Sequence, residues 1–305
     1  MALEKHLRKG ILAAAALASV TALYAEEAKA YEDDWYVAEQ LQDTNVYPDE
    51  YRLITLASIL VLDGPVKCGL GALINDTDFG ECIAPALFGG LIDYMGLEIA
   101  QYNGTPFVGG TGKLIHDFGV SIADNAAAGL PMFDRFQTDF GPFLFSAEHL
   151  TTEPEFNVYF QIAPVVGIIT NFAEGNRFEF LDTLSNLTPV FSFENVTMEH
   201  MWSRVAGYTM GNVMTYGRGE NVESYDSITV RSHEFDHVLM YSGFRFINDL
   251  LPAYPMEKLH LSFGPDMGWV VMALPPALCR MFTEDCYDVY MATPLEFFAY
   301  TMQND

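Results

Sequence analysis

Two histidines four residues apart place the strongest constraint on how this chain can fold. The sequence His233-Glu-Phe-Asp-His237 presents both imidazoles on one side only if the segment is helical, because residues four apart share a helix face. Asp226 or Ser227 can cap the start of such a helix, and Gly243 is a natural stop. The pattern therefore predicts a helix that carries the whole motif.

The same motif predicts a zinc site. Two imidazole nitrogens at this spacing can bind one zinc ion, so His233 and His237 are the expected metal ligands. Glu234 lies about 100° round the helix, where it can stand beside the metal and take a proton from a zinc-bound water. Zinc-dependent hydrolysis of a peptide or other acyl bond is the chemistry that this arrangement favours. The competing interpretation is a polar surface helix with an accidental pair of histidines.

A third protein ligand is usual at a catalytic zinc, with water as the fourth. No third histidine follows His237 at the spacing of the longer HExxHxxGxxH motif. The acidic residues and histidine downstream that remain candidates are Glu257, His260, Asp266, Glu284, Asp285 and Glu296. Glu296 follows Pro294, where a helix can begin, so its carboxylate is equally suited to stabilising a helix N-terminus.

Residues 207–254 resemble a group of uncharacterised bacterial exported HExxH proteins of the gluzincin-like type. That group combines a Gly-rich strand with HExxHxxQ-Tyr, a following Gly and an apolar helix, and often ends in Asn-Pro-Phe-Glu-x-x-Ala-Tyr. Residues 293–300, Thr-Pro-Leu-Glu-Phe-Phe-Ala-Tyr, are similar to that last segment. The resemblance implies Glu296 as the third zinc ligand. Two positions depart from the pattern, with Met240 in place of Gln and Thr293 in place of Asn.

The N-terminus has the pattern of a secretory signal peptide over residues 1–30. Lys5, Arg8 and Lys9 precede an apolar run, and Ala28-Lys-Ala30 offers a cleavage site. An amphipathic N-terminal helix is the alternative. We therefore expect an exported protein that is periplasmic, outer-membrane-associated or extracellular.

Four cysteines form two close pairs in the sequence. Cys68 lies near Cys82, and Cys279 lies near Cys286. An even number of cysteines in an exported chain favours disulfides, and we expect these two local pairings. Neither pair has C-x-x-C spacing, which argues against a cysteine zinc site.

The net charge is strongly negative, at −26 for the whole chain. Residues 1–30 hold four basic and three acidic residues, so their removal leaves a charge of −27. A chain this acidic is not expected to bind nucleic acid through a basic face.

The distribution of apolar and turn-forming residues predicts an α+β fold. Residues 113–123, 138–148, 156–170 and 189–194 are rich in Phe, Val, Ile and Tyr, and turn formers separate them. They predict an antiparallel β-rich meander or a small barrel-like sheet, followed by the HExxH helix and a helical C-terminal part. The expected organisation is a signal peptide (1–30), an N-terminal mixed region (31–109), an antiparallel β region (110–217) and a helical zincin-like region (218–305).

After the leader, no run of 18 uninterrupted apolar residues occurs, so no transmembrane helix is predicted. Residues 84–100 and 163–173 are the most apolar, and we expect both to be buried core. His116 and His149 are expected to be surface histidines or buried ones with satisfied hydrogen bonds.

Two classes of function fit these features. The first is an exported zinc-dependent hydrolase, metallopeptidase-like, acting on a peptide or protein substrate. The second is a non-catalytic, β-rich envelope or outer-membrane-associated structural or binding protein. The sequence leaves the oligomeric state open.

Overall fold

The computed structural model describes residues 49–102, 105–195, 198–200, 203–205, 207–218, 227–243 and 245. The leader (1–30) and residues 246–305, which include Cys279, Cys286, Glu296 and the other candidate third ligands, lie outside the described residues. The described part is an α+β structure.

The first part of the chain is helical. Helix α1 (Asp49–Val61) continues through a π-helical turn (Leu62–Val66) into α2 (Lys67–Asn75), and α3 (Phe79–Ala100) runs back beside them. The side chain of Asp78 caps α3 by accepting a hydrogen bond from the backbone N–H of Glu81 at 3.0 Å. Helix α4 (Val108–Ala127) then packs along α3.

Close approach of α3 and α4 depends on glycines. A Cβ atom at Gly96 would overlap the backbone nitrogen of His116, and one at Gly119 would overlap that of Asp93. A Cβ at Gly89 would lie 2.6 Å from the carbonyl oxygen of Gly119. Any side chain at these positions would therefore push the two helices apart, since packed backbones cannot shift cheaply.

Three strands follow as an antiparallel meander. They are β1 (Phe136–Phe140), β2 (Phe143–Glu148) and β3 (Glu155–Phe160). Phe140 pairs with Phe143 at the first turn, and Glu148 pairs with Glu155 at the second. The antiparallel prediction is confirmed for these strands.

A mixed sheet lies further along the chain. Helix α5 (Ile162–Glu174), strand β4 (Arg177–Phe178) and helix α6 (Phe180–Asn186) lead to β5 (Val190–Phe193). A separate hairpin, β6 (Met198–His200) with β7 (Ser203–Val205), precedes β8 (Gly207–Met210) and β9 (Val213–Gly217). The sheet order is β4-β5-β9-β8, with β5 parallel to β9. The described strands thus form open sheets and no closed barrel.

One predicted strand is wrong and a second is wrong in part. Residues 113–123 lie inside helix α4, and residues 156–170 divide between β3 and α5. In α4 the helical period is carried by polar side chains at Lys113, His116 and Asp117, all of which are buried. A search for apolar periodicity misses such a helix because the first half of its inward face is polar.

The expectation of buried core at residues 84–100 and 163–173 is also wrong in part. Phe88, Leu91 and Met95 of α3 are exposed, as are Val166 and Ile169 of α5. Among the described residues two helical stretches, Thr55–Asn75 and Phe79–Ala100, are long and apolar enough to cross a membrane.

The disulfide predicted between Cys68 and Cys82 is confirmed. It joins α2 to α3 with a Cα–Cα distance of 5.7 Å, and both cysteines are buried. The 14-residue separation closes a short loop, and constraining such a loop in the unfolded chain is worth about 3 kcal/mol.

The first prediction concerns this crosslink. A Cys68→Ala/Cys82→Ala double variant should lose about 3 kcal/mol of unfolding free energy, because its unfolded chain regains the entropy of the open loop. Thermal or denaturant unfolding of purified protein measures the loss. A single Cys82→Ala variant is the matched control and should lose a similar amount. Equal stability of wild type and double variant would contradict the prediction.

Candidate functional site

The HExxH motif lies in helix α7 (Ser227–Gly243), as predicted. This helix contacts α3, α4, β8 and β9, so it is enclosed by both the helical part and the mixed sheet. Phe235, Val238 and Leu239 are fully buried and join Leu97 and Met214 in one hydrophobic cluster. The helix is therefore a central element of the described structure, and the alternative of a polar surface helix is wrong.

The two histidines of the motif approach each other closely. Their Nε2 atoms are 3.1 Å apart, and the ring planes are nearly perpendicular, at 87°. Two nitrogens bound to one tetrahedral zinc at 2.0–2.1 Å would be about 3.3 Å apart. This separation is that of a hydrogen bond between the two rings, and it is also close to the spacing of two nitrogen ligands on one metal ion. Both side chains are largely buried, at 8% and 6% exposure.

Glu234 is held against strand β8. Its Oε2 accepts a hydrogen bond from the hydroxyl of Thr209 at 2.8 Å, although the same hydroxyl also lies 2.9 Å from the Glu234 carbonyl oxygen. A Cβ atom at Gly207 would stand 2.8 Å from both Cγ and Oε1 of Glu234. The small residue at Gly207 thus makes room for the carboxylate, and Thr209 orients it.

Asp236, between the two histidines, faces the end of α3. Its Oδ1 accepts a hydrogen bond from the amide of Gln101 at 2.6 Å. Burial raises the pKa of Asp236 well above its ordinary value; the Gln101 hydrogen bond acts in the opposite direction, and the charge of Glu98 adds to the rise.

His116, on α4, connects α3 and α4 to α7. Its Nδ1 contacts the carboxylate of Asp93, and its Nε2 is 2.7 Å from the carbonyl oxygen of Leu239. A carbonyl oxygen can only accept, so Nε2 carries a proton and donates it. His116 thereby holds the backbone of α7 two residues beyond the second histidine of the motif.

A buried ionic network lies beyond the end of α7. The ammonium of Lys113 is 2.9 Å from Asp117 and 2.7 Å from Asp139. Arg245 donates to Asp117 at 2.7 Å, and Ser242 donates to Asp139 at 2.9 Å. Two cations thus balance two carboxylates, which is the condition for charges to be tolerated in an interior.

The charge of Asp139 is maintained by these partners. Burial on its own would raise the pKa of Asp139, but the positive charges of Lys113 and Arg245 lower it to about 2. Asp139 is therefore ionised at neutral pH and fixes the C-terminal end of α7 through Ser242.

The structure brings together only part of the predicted zinc site. His233, Glu234 and His237 lie in one buried helix, whereas Glu296 and the other candidate third ligands lie outside the described residues. Within the described ranges no group of three His, Cys, Asp or Glu side chains is arranged to hold a metal ion.

Sequence reasoning missed the polar residues that support α7. His116 is a buried histidine with satisfied hydrogen bonds, as one of its two interpretations predicted, but it lies on a helix and touches α7. The spacing of Lys113, His116 and Asp117 at three and four residues is the signal that could have revealed a polar inward face. His149 is on the surface, with a side chain 55% exposed.

Comparison of the chain with protein-family models, with curated proteins and with solved structures gives no match.

The second prediction concerns the ionic network. Lys113→Met should lower the free energy of unfolding by about 3–5 kcal/mol, because one of the two buried carboxylates is left uncompensated. Denaturant or thermal unfolding measures the change. Arg177→Met is the matched control, since the Arg177 side chain is 72% exposed and its loss should cost no more than about 0.5 kcal/mol. Equal losses in the two variants would contradict the assignment.

Proposed function

We propose that the chain is an exported zinc-dependent hydrolase, metallopeptidase-like, with His233 and His237 as zinc ligands and Glu296 as the third. The observation that supports it most is the 3.1 Å separation of the two Nε2 atoms on a buried helix, which fits two ligands of one metal. The donor set also fits, because neutral imidazole and carboxylate are ordinary zinc ligands.

Each residue near the proposed zinc site would have a separate role in hydrolysis. A bound zinc ion supplies Lewis acidity and lowers the pKa of water towards neutrality. Glu234 accepts the proton of the attacking water, and Thr209 keeps the Glu234 carboxylate in place through its hydrogen bond. Thr209 is thus a positioning residue. His116 and Gln101 hold the helix itself, through Leu239 and Asp236.

Export of the protein and a peptide or protein substrate are parts of the same proposal. Export rests on the leader pattern of residues 1–30, and a disulfide at Cys68–Cys82 suits an oxidising compartment. A second disulfide, Cys279–Cys286, is proposed by the same reasoning. The substrate is a peptide or protein, and nucleic acid is disfavoured by the net charge of −26.

A non-catalytic envelope or outer-membrane-associated structural or binding protein is the second candidate. One observation favours it, namely that the described residues do not bring a third metal ligand to the two histidines. In that case the motif would contribute to packing only, through the buried face of α7.

The third prediction tests the zinc site and its base separately. Purified wild-type protein should contain about one zinc per chain, and His237→Ala should contain almost none, because a two-ligand site binds zinc weakly. Elemental analysis gives the zinc content. Glu234→Gln should keep its zinc. Its rate of hydrolysis of fluorescent casein should fall by roughly 10²- to 10⁴-fold, the usual contribution of a general base.

Thr209→Val tests the positioning role of Thr209. Valine has nearly the same shape as threonine but lacks the hydroxyl that donates a hydrogen bond to Glu234. It should retain zinc and show a reduced kcat with little change in KM, since Thr209 acts through Glu234 and is not a proposed metal ligand. Zinc content that is equal in wild type and His237→Ala would overturn the metal site, and undiminished hydrolysis by Glu234→Gln would overturn the proposed base.

A further inference from the structure

The described residues expose many large apolar side chains and bury many ionisable ones. Eleven phenylalanine side chains in this part of the chain are exposed, whereas three are buried. The interior also holds ionisable side chains on the helices; on the first helices and α4 these are Asp63, Lys67, Asp93, Lys113, His116, Asp117 and Asp124. Large exposed apolar areas mark a surface that something other than water covers.

The helices have the length of a bilayer crossing. Helix α3 has 22 residues and so extends about 33 Å, close to the roughly 30 Å of a hydrocarbon layer. The antiparallel stretch Thr55–Asn75, formed by α1, the π-helical turn and α2, has 21 residues. The two stretches are joined by a short connection, residues 76–78, and the Cys68–Cys82 disulfide crosslinks the helices on either side of it.

The exposed side chains of these stretches are apolar along their length and polar at the ends. On α3 the exposed positions between its ends are Ala84, Phe88, Leu91 and Met95. On the other stretch they include Ala57, Val61, Pro65 and Leu73. Exposed Asp76, Asp78 and Glu81 mark one end of the hairpin, and Tyr102, 64% exposed, marks the other. Tyrosine is enriched where a helix leaves the hydrocarbon layer.

The contact between α3 and α4 is of the type found between membrane helices. Small residues at Gly89, Gly96 and Gly119 let the backbones touch, which is how helices pack when no hydrophobic effect drives them together. The ionisable side chains of α4 face inward and are paired, Lys113 with Asp117 and His116 with Asp93. Inward-facing, paired charges are the arrangement tolerated in a bilayer.

We propose that the hairpin of Thr55–Asn75 and α3 is embedded in the hydrocarbon layer of a lipid bilayer, with α4 on its inner side. Exposed large apolar side chains also occur on the helices α4, α5 and α6, as at Phe118, Phe172 and Leu181. A protein partner of ordinary size covers a single patch of about 800 Å², whereas lipid covers apolar side chains on many elements at once.

The embedding would set the position of the HExxH helix. Gln101, at the C-terminal end of α3, binds Asp236 inside the motif. The motif therefore lies level with the Tyr102 end of the hairpin, at the boundary between hydrocarbon and water.

Membrane integration of the full chain, expressed in a bacterium, tests this proposal. After disruption of the cells, the wild-type chain should remain with the membranes through an alkaline carbonate wash and should be released only by detergent. Recovery in the soluble fraction without detergent, as a monomer or as a dimer, would overturn the proposal. A soluble monomer would mean that residues of the chain itself, such as 246–305, cover the apolar face, and a soluble dimer would mean that a second copy does.

A pair of lysine substitutions on one helix gives the matched control. Leu91→Lys places a charge in the apolar face of α3, and Glu81→Lys places the same charge at its polar end; both positions are exposed. Leu91→Lys should lower the carbonate-resistant fraction at least several-fold, while Glu81→Lys should leave it unchanged. Equal behaviour of both variants would overturn the proposal, because a lysine at a water-exposed position is harmless in either place.

A third measurement does not depend on a disruptive variant. Phe88→Trp keeps an aromatic side chain on the exposed face of α3. In phosphatidylcholine vesicles brominated on their acyl chains, the additional tryptophan fluorescence of this variant should be strongly quenched relative to unbrominated vesicles. Absence of extra quenching over the wild-type background would overturn the proposal even if the lysine variants failed to fold.

Discussion

Charged and polar side chains in the interior need partners, and that requirement organises the described structure. The ring of His116 touches the carboxylate of Asp93 on α3 and the carbonyl oxygen of Leu239 on α7. Lys113 and Arg245 both pair with Asp117 of α4 and Asp139 of β1, next to the C-terminal end of α7. Because an unpaired buried charge is strongly destabilising, these pairs fix how α3, α4, β1 and α7 fit together. The glycines of α3 and α4 allow the two helix backbones to come into contact, so that these buried side chains can reach their partners.

This scaffold defines the environment of the HExxH helix. Hydrophobic packing at Phe235 and Leu239 secures one side of α7, and hydrogen bonds from Gln101 and Thr209 secure Asp236 and Glu234. The Nε2 atoms of the two imidazoles lie 3.1 Å apart. Rigid support of this kind is what a metal site needs, because ligand positions must be held closely for metal affinity and catalysis.

The sequence predicted the elements whose signals are local. Helix α7 and the Cys68–Cys82 disulfide follow from short patterns of spacing and turn residues. Antiparallel β-structure was predicted for residues 138–148, but this segment divides into β1 and β2, and the turn between them was not predicted. The polar helix α4 was missed because its period is carried by Lys113, His116 and Asp117, which resemble surface residues until their partners are known. The parallel pairing of β5 with β9 depends on contacts between distant parts of the chain, which no local pattern contains. Likewise, the interaction of Thr209 with Glu234 joins residues 25 positions apart.

The nature of the atoms around a bound zinc ion tests the central claim most directly. Zinc-edge X-ray absorption of the purified full chain reports the type and distance of the metal's ligands. The account predicts a shell of nitrogen and oxygen atoms at about 2.0–2.2 Å, with the signature of two imidazole rings that is lost in His233→Ala. A shell of sulfur atoms at about 2.3 Å, or an imidazole signature unchanged in His233→Ala, would contradict it.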